Sequence, residues 1–322
     1  MSQFAKAVLS ATLLSSLPFA LHAAQAPAPP PAAQSVDRAI SKVYPALVQI
    51  RVLTVDHGSG RARKFEASGS GVIISPEGYV VTNHHVAGRA VSMRVTLSTK
   101  EELEATLVGT DPLSDIAVLK LDLSSRRAGA PPLPSAAWGN SSALKIGDTV
   151  LAMGCPLALS QSVTEGIVAN KDMMLPRMFS GRFMLDGEDV GSLVKWIGHD
   201  AAIQPGNSGG PLVDTAGDVV GINEIGLGSM SGAIPSDLAK AVAAELIAKG
   251  KVKRAWIGAD FQPLLKEAAQ SPDAKGILVA GVIAGSPAEE AGLRAGDIVL
   301  ALDGAPVAAR FREELPAFNL LL

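Results

Sequence analysis

The sequence predicts a mostly β protein whose short strands form a barrel or a sandwich. From Ala46 onward, runs rich in β-branched residues alternate with glycine turns, as in "LVQIRVLTV", "GYVVTN", "DIAVLKLDL" and "GDVVGIN". Regularly spaced short strands favour a barrel or sandwich over alternating strand–helix units. The first long helical pattern is "PSDLAKAVAAELIAKG", which opens on a Pro-Ser-Asp start signal and closes on Gly250.

A second, smaller unit is predicted after this helix. The segment "GILVAGVIAGSPAEEAGLRAGDIVLALDG" indicates a strand, a turn, a short helix at "SPAEEAGL" and another strand. One further helix fits "RFREELPAFNLLL", with no obvious closing strand after it. We therefore divide the chain into residues 37–250 and 251–322, and we expect the second unit to be incomplete.

The first 24 residues have the pattern of a signal peptide. Lys6 supplies the positive start, and the small residues of "HAAQA" suit cleavage near Ala23 or Ala24. The apolar stretch between them has about 15 residues and contains Pro18, so it is short for a membrane span. We expect export with cleavage rather than a membrane anchor. Residues 25–36 are rich in Pro and Ala and predict an extended tether.

Composition excludes some classes of protein. Hydrophobic residues make up 48% of the 322 residues, which is enough for a substantial core. The net charge of −3 and the lack of a long basic run argue against nucleic-acid binding. Cys155 is the only cysteine, so no intrachain disulfide can form, and we expect it to be a buried, unreactive thiol.

The stretch "IQPGNSGGPL" places Ser208 in a glycine turn. Such clusters often serve only to reverse the chain, but the stretch also fits two nucleophile patterns. The G-x-S-x-G elbow of α/β-hydrolases requires a histidine after the serine. The elbow therefore fails, because every histidine precedes Ser208: His22, His57, His84, His85 and His199.

The order His, Asp, Ser of chymotrypsin-like enzymes does fit the chain. "TNHHV", "DIAVLK" and "GNSGGPL" follow one another in that order. A serine needs an imidazole to take its proton, a carboxylate to orient that imidazole, and backbone N–H donors for the oxyanion. A His-His pair also suggests a metal site, but no third ligand cluster accompanies it, so we expect no metal or other cofactor.

These motifs, followed by "GSPAEEAGLRAGDIVLALDG", resemble the HtrA (DegP-like) family of exported serine proteases over nearly all of the chain after the leader. The resemblance implies a chymotrypsin-like double β-barrel protease domain and a small α+β PDZ-like domain. The family pattern T-N-x-H-V selects His85, not His84, as the base. The same comparison selects Asp115 over Asp111 and Asp122, because Asp115 begins the "DIAVL" strand.

The resemblance also implies roles around the nucleophile. Ser208 would attack the substrate, and the N–H groups of Gly206 and Ser208 would form the oxyanion hole. Ala202, six residues before the serine, would lie at the base of the specificity pocket. An alanine there cannot pair with Lys or Arg, so we expect small or medium aliphatic side chains to be preferred.

The partners implied are unfolded or misfolded proteins in the periplasm, and peptide C-termini at the PDZ-like domain. The loop that would hold a C-terminal carboxylate is Trp256, Ile257, Gly258 and Ala259. A homo-oligomer, in the family a trimer, is expected, with Tyr44 and Phe65 the nearest N-terminal aromatic residues. The alternative is a non-proteolytic chaperone or peptide-binding protein that uses the same fold.

Some positions depart from the family pattern. Cys155 and Ala158 replace other small or polar residues, and His199 stands where a threonine usually precedes "DAAI". The stretch at 170–196, which corresponds to regulatory loops, is idiosyncratic.

Overall fold

The computed structural model describes residues 31–56, 62–127, 129–155, 161–174, 183–185, 188–264 and 275–322. The predicted signal peptide, residues 25–30 of the predicted tether, Ala158, and residues 175–182 and 186–187 of the 170–196 stretch lie outside these ranges. None of the helices in the described part of the chain combines the length and hydropathy needed to span a bilayer.

The first half of the chain forms a closed six-stranded barrel. All neighbouring strands are antiparallel, in the order β1-β2-β3-β6-β5-β4, and β4 closes the barrel by pairing with β1. Its strands are β1 (Leu47–Asp56), β2 (Arg63–Ile73), β3 (Tyr79–Asn83), β4 (Ser92–Thr96), β5 (Glu102–Asp111) and β6 (Ile116–Leu121). In β4 the period of two is visible, since Met93 and Val95 are buried whereas Ser92 and Arg94 are exposed.

The second barrel also closes with six antiparallel strands, in the order β11-β14-β13-β12-β7-β8. Its strands are β7 (Thr149–Gly154), β8 (Ser162–Met173), β11 (Trp196–His199), β12 (Pro211–Asp214), β13 (Val219–Leu227) and β14 (Met230–Pro235). A small pair, β9 (Phe183–Leu185) and β10 (Glu188–Val190), lies between β8 and β11 in sequence. The predicted mostly β class is confirmed. Of the two architectures expected, the strands form closed barrels rather than a sandwich.

Two helices lie beside the barrels, and only the longer one was predicted from the sequence. The short helix α2 (His84–Ala87) continues directly from β3. The long helix α3 (Ser236–Lys249) ends at Gly250, whose φ of 70° and N–H bond to the Leu246 carbonyl form a left-handed cap.

The prediction of an extended tether over residues 25–36 is wrong from Pro31 onward. Residues Pro31–Val43 form a helix, α1. Pro31 occupies its first turn, where a missing N–H costs nothing. Apolar residues then recur at helical spacing, at Val36, Ala39, Ile40 and Val43, and Ala39 and Val43 are buried against the barrels.

The C-terminal unit is a small α+β structure. Its three-stranded sheet has the order β15-β16-β17, with β15 (Ala259–Gln262), β16 (Ile277–Val282) and β17 (Ile298–Val299). A separate hairpin pairs β18 (Ala301–Leu302) with β19 (Ala305–Pro306), and the helices are α4 (Pro287–Glu290) and α5 (Leu315–Asn319). Its small core includes Ile277, Val307 and Phe318, and the Phe318 ring meets Phe261 edge-on at 4.8 Å.

The largest apolar cluster spans both barrels and the two longer helices. It joins Ile50 and Val81 of the first barrel to Met153 and Ile222 of the second. The chain after α3 is tied to the first barrel as well, because Arg254 Nη2 lies 2.6 Å from the buried Asp111 carboxylate. The two barrels, and the cleft between them, are therefore held in place by shared apolar packing.

One close contact between β5 and α3 can be tested directly. A Cβ added to Gly109 would lie 2.3 Å from the Gly250 carbonyl oxygen, so Gly109→Ala forces strand and helix apart. We expect a loss of about 2–3 kcal/mol in the free energy of unfolding, measured by denaturant titration. The control is Gly226→Ala, whose Cβ would meet Ile203 at an ordinary 3.6 Å. Equal losses in the two variants would contradict this contact.

Candidate active site

Asp115 is a fully buried carboxylate between the barrels. It follows a single 3₁₀ turn, Pro112–Ser114, and adopts the left-handed conformation with φ 52° and ψ 36°. Its carbonyl oxygen accepts hydrogen bonds from Asn83 Nδ2 and from the His84 N–H, both at 3.0 Å. These bonds hold a backbone conformation that is unfavourable for a side-chain-bearing residue.

Both oxygens of the Asp115 carboxylate are bound by His85. The His85 backbone N–H donates to Oδ1 at 2.9 Å, and the ring nitrogen Nδ1 lies 2.7 Å from Oδ2. An ionised carboxylate can only accept, so the proton of this bond lies on Nδ1. In the neutral ring Nε2 is then left as a proton acceptor, and the His85 side chain is 21% exposed towards the cleft.

His84 has different surroundings from its neighbour. Its ring is buried, with Nδ1 2.8 Å from Thr110 Oγ1 and Nε2 3.3 Å from Glu188 Oε2. Glu188 is bound in turn by Arg89 at 2.7 Å. The structure thus brings His85, and not His84, to Asp115.

Ser208 follows a tight turn at the mouth of the second barrel. The Asn207 N–H donates to the Gln204 carbonyl at 2.9 Å, and Gly206 has a φ of 101°. Pro205 followed by a glycine at positive φ is the pattern of a type II turn. The N–H groups of Gly206 and Ser208 have no hydrogen-bond acceptor among the described residues. Two backbone donors are therefore available beside the serine.

The Ser208 hydroxyl donates to the backbone carbonyl of Glu224 at 3.1 Å. Within the described ranges no hydrogen bond joins Ser208 Oγ to His85 Nε2. Such contacts often tighten only when substrate is bound. Reaching His85 requires the Ser208 hydroxyl to leave the Glu224 carbonyl.

Ser70 ties this turn to the first barrel, and the sequence analysis missed it. Its hydroxyl donates to the Gly206 carbonyl at 2.6 Å and accepts the Cys155 N–H at 2.8 Å. Its backbone N–H donates to the Ser208 carbonyl at 2.8 Å. Ser70 is fully buried, but in the sequence its only signal is a serine between two glycines in "SGSG", which does not identify its partner.

Glu224 was also missed. It lies in β13, is 4% exposed, and its Oε2 accepts a hydrogen bond from Trp196 Nε1 at 2.5 Å. Burial, and then the negative charge of Asp115, raise the pKa of the Glu224 carboxyl well above its usual range. The available signal was an acidic residue inside the apolar run "VVGINEIG".

Two of the unusual residues are buried without a charge. Burial raises the pKa of the Cys155 thiol to about 11, as expected for an unreactive cysteine. His199 is fully buried in β11, and its ring nitrogens have no partner among the described residues. Burial lowers the pKa of His199 to about 4, so the ring is neutral at physiological pH.

The two predicted binding segments lie at the surface. Ala202 is exposed, and its carbonyl accepts a hydrogen bond from Thr164 Oγ1 at 2.7 Å. Trp256 is 64% exposed, and Gly258 has a φ of 76°. In the described chain, the N–H groups of Ile257 and Gly258 have no hydrogen-bond acceptor.

A shallow cavity of about 390 Å³ opens beside this loop. Its lining is mostly apolar and comes from the loop and the α4 region: Ile257, Pro287, Ala288, Ala291 and Leu293. Elsewhere, the described residues contain no group of three or more His, Cys, Asp or Glu side chains that could hold a metal ion.

Two closed barrels that carry a His–Asp pair and a serine in a glycine turn are the architecture of trypsin-like serine peptidases, here followed by a small α+β unit. Family models agree with that class: the trypsin-like peptidase domain matches residues 69–222, and the PDZ domain matches residues 278–315. The chain belongs to the HtrA-type, DegP-like family of serine proteases.

Individual relatives support this assignment. A probable periplasmic serine endoprotease, DegP-like, of Pseudomonas fulva is 44% identical over 78% of this chain and 50% of its own length. Its counterpart in Brucella suis is 39% identical over 75% of this chain and 45% of its own. The chain thus spans about half the length of these curated relatives.

Solved structures match over more of their length. The HtrA-type protease AlgW with tripeptide is 34% identical, with a TM-score of 0.70 over 89% of this chain and 87% of its own. The serine endoprotease from Yersinia pestis is 32% identical, with a TM-score of 0.64 over 89% and 88%. The expected fold, a chymotrypsin-like double barrel followed by a PDZ domain, is confirmed.

The adjacent histidines allow a matched test of the site. We expect His85→Gln to lower the rate of casein hydrolysis by on the order of 10⁴–10⁶, because the Asp115-bound imidazole is lost. His84→Gln should keep most of the activity, since its ring faces Thr110 and Glu188. Equal losses in the two variants, with folding intact by circular dichroism, would contradict the geometry described.

The buried His199 predicts that the free energy of unfolding depends on pH. Its pKa is about 4 in the folded protein against an ordinary 6.5, so the unfolded chain binds more protons between these values. Stability should therefore fall as the pH drops from 6.5 to 4, by roughly 3 kcal/mol for this group. His199→Leu should remove that part of the loss in denaturant titrations at several pH values. Parallel losses in parent and variant would show that His199 does not titrate in this way.

Proposed function

We propose that this chain is an exported serine endopeptidase that hydrolyses peptide bonds of unfolded or misfolded proteins. The observation that carries the proposal is the doubly bound His85–Asp115 pair, which leaves Nε2 of the ring free to accept a proton at the cleft. Ser208 acts as the nucleophile, His85 as the general base, and Asp115 as the residue that orients His85.

The proposed reaction follows from these positions. The Ser208 hydroxyl turns from the Glu224 carbonyl to His85 Nε2, gives up its proton, and attacks the scissile carbonyl carbon. The imidazolium that forms is stabilised by the buried Asp115 carboxylate at Oδ2. His85 then returns the proton to the leaving amine, and water repeats the sequence to release the acyl group.

The oxyanion is stabilised by the free N–H groups of Gly206 and Ser208. Because Ser70 binds the Gly206 carbonyl, the turn does not need to reorganise when negative charge develops. A preorganised donor of this kind is worth about 3 kcal/mol, or on the order of 10²–10³ in rate.

Substrate selection follows from the surroundings of the turn. An exposed alanine at position 202 offers no charge to a basic side chain, so we propose cleavage after small or medium aliphatic residues. Unfolded chains expose such residues. The free N–H groups of Ile257 and Gly258, next to the apolar cavity, support binding of peptide C-termini at the PDZ domain.

Location and assembly are proposed from the family. The curated relatives are named as periplasmic, and we propose the same compartment for this chain. We propose a homo-oligomer, in the family a trimer, and the half-exposed Phe65 is a candidate residue for its contact. The proposed reaction needs no cofactor.

Degradation of casein by the mature chain tests the proposal. We expect Ser208→Ala to lower casein turnover on the order of 10⁶-fold, because the nucleophile is removed while the fold is unchanged. Mass spectrometry of the products should place cuts after Val, Ala, Leu or Ile, and not after Lys or Arg.

The alternative function gives a different result. Suppose that neither the parent nor Ser208→Ala cuts casein, and that both suppress aggregation of an unfolded protein. The chain then acts as a chaperone with the same fold. If the parent and Ser208→Ala cleave casein at equal rates, Ser208 is not the nucleophile.

A further inference from the structure

Glu224 is a buried acid in direct contact with the proposed catalytic machinery. Its backbone carbonyl accepts the Ser208 hydroxyl, and its side chain extends to Trp196 and Asp115. Only 4% of the residue is exposed. The Glu224 carboxyl therefore cannot rely on water to stabilise a negative charge.

The two oxygens of this carboxyl have different environments. Oε2 accepts the Trp196 Nε1 proton, whereas Oε1 has no hydrogen-bond partner among the described residues. Gly191 packs against Oε1 so closely that a Cβ there would lie 2.9 Å from it. A buried carboxylate with an oxygen left unpaired is costly, but a protonated carboxyl gains a donor that can use a nearby acceptor.

The nearby acceptor is the Asp115 carboxylate, which lies within hydrogen-bonding reach of the Glu224 side chain. Its negative charge is already stabilised by two N–H donors of His85. Of two adjacent buried carboxyls, the one whose negative charge has fewer hydrogen-bond donors has its pKa raised and holds its proton more tightly. Asp115 therefore keeps the charge, and Glu224 keeps the proton.

The other charged groups around the pair do not alter this assignment. Charged residues on neighbouring elements have other partners: Asp111 is bound by Arg254, Glu188 by Arg89 and His84, and Lys195 by Asp172. Asp189 of β10 is also acidic, and His199 of β11 is neutral. Within the described residues, no cation contacts the Glu224 carboxyl.

We propose that Glu224 is a positioning residue that stays protonated and donates its carboxyl proton to Asp115. This rests on the proposed function, and adds to it a neutral acid that orients Asp115 as Asp115 orients His85. At alkaline pH the Glu224 proton is lost, and a second negative charge then faces Asp115. The rate of reaction at Ser208 falls in that range.

Two substitutions separate the parts of this proposal. Glu224→Gln keeps the shape, since its amide can donate to Asp115 while its carbonyl accepts from Trp196, but it cannot ionise. Glu224→Leu keeps the approximate volume and removes the donor. The readout is the rate at which a fluorophosphonate labels Ser208 across a range of pH, with Ser208→Ala as the blank.

We expect Glu224→Gln to be labelled at a rate close to that of the parent at neutral pH, without the alkaline decline. Glu224→Leu should be slower by on the order of tenfold to a hundredfold, as for loss of a hydrogen bond to a charged group. The proposal is overturned if the leucine variant matches the parent, or if the glutamine variant declines with pH as the parent does. If the leucine variant does not fold, the pH profiles of the parent and the glutamine variant still test the proposal.

Infrared difference spectra measure the proton itself, without any need for activity. The parent minus Glu224→Gln spectrum at neutral pH should show the C=O stretch of a protonated carboxylic acid. Bands of an ionised carboxylate alone would overturn the proposal. If the parent is neither labelled nor cuts casein, the proposed function fails, and this spectrum still decides the state of Glu224.

Discussion

The burial of a negative charge at Asp115 is the constraint on which the site depends. A carboxylate withdrawn from water is tolerated only when hydrogen bonds replace its hydration. Here the backbone and ring of His85 supply two donors, so stabilising the charge also orients the imidazole. Asn83 and His84 donate hydrogen bonds to the Asp115 carbonyl oxygen and so hold its left-handed backbone conformation. Stability and proposed catalysis share these contacts.

The turn that carries Ser208, the proposed nucleophile, is positioned by the opposite barrel. Ser70 lies in the first barrel, yet its hydroxyl and backbone N–H bind the turn that carries Ser208. The same hydroxyl accepts the Cys155 N–H from the end of β7. A bonded bridge across the cleft therefore keeps the turn in one conformation. The two barrels are joined by polar contacts at the site and by apolar contacts beneath it.

Much of the fold was predictable because local patterns report it. Runs rich in β-branched residues marked strands such as β1, β3 and β6, and Gly250 marked the end of α3. Helix α1 was mistaken for a tether because the prolines before it outweighed the helical spacing that begins at Val36. That helix is stabilised by packing on the barrels, which no local pattern reveals.

The sequence by itself determined which chemical groups are present and in what order. The motifs with His85, Asp115 and Ser208, in that order, excluded the α/β-hydrolase elbow. Only the tertiary structure decided which groups touch: Ser70 meets Gly206 from 136 residues away, and Glu224 meets Asp115 from the other barrel. The physical reason is that periodicity records whether a side chain is buried. The partner that satisfies a buried polar atom is set by how the two barrels pack together.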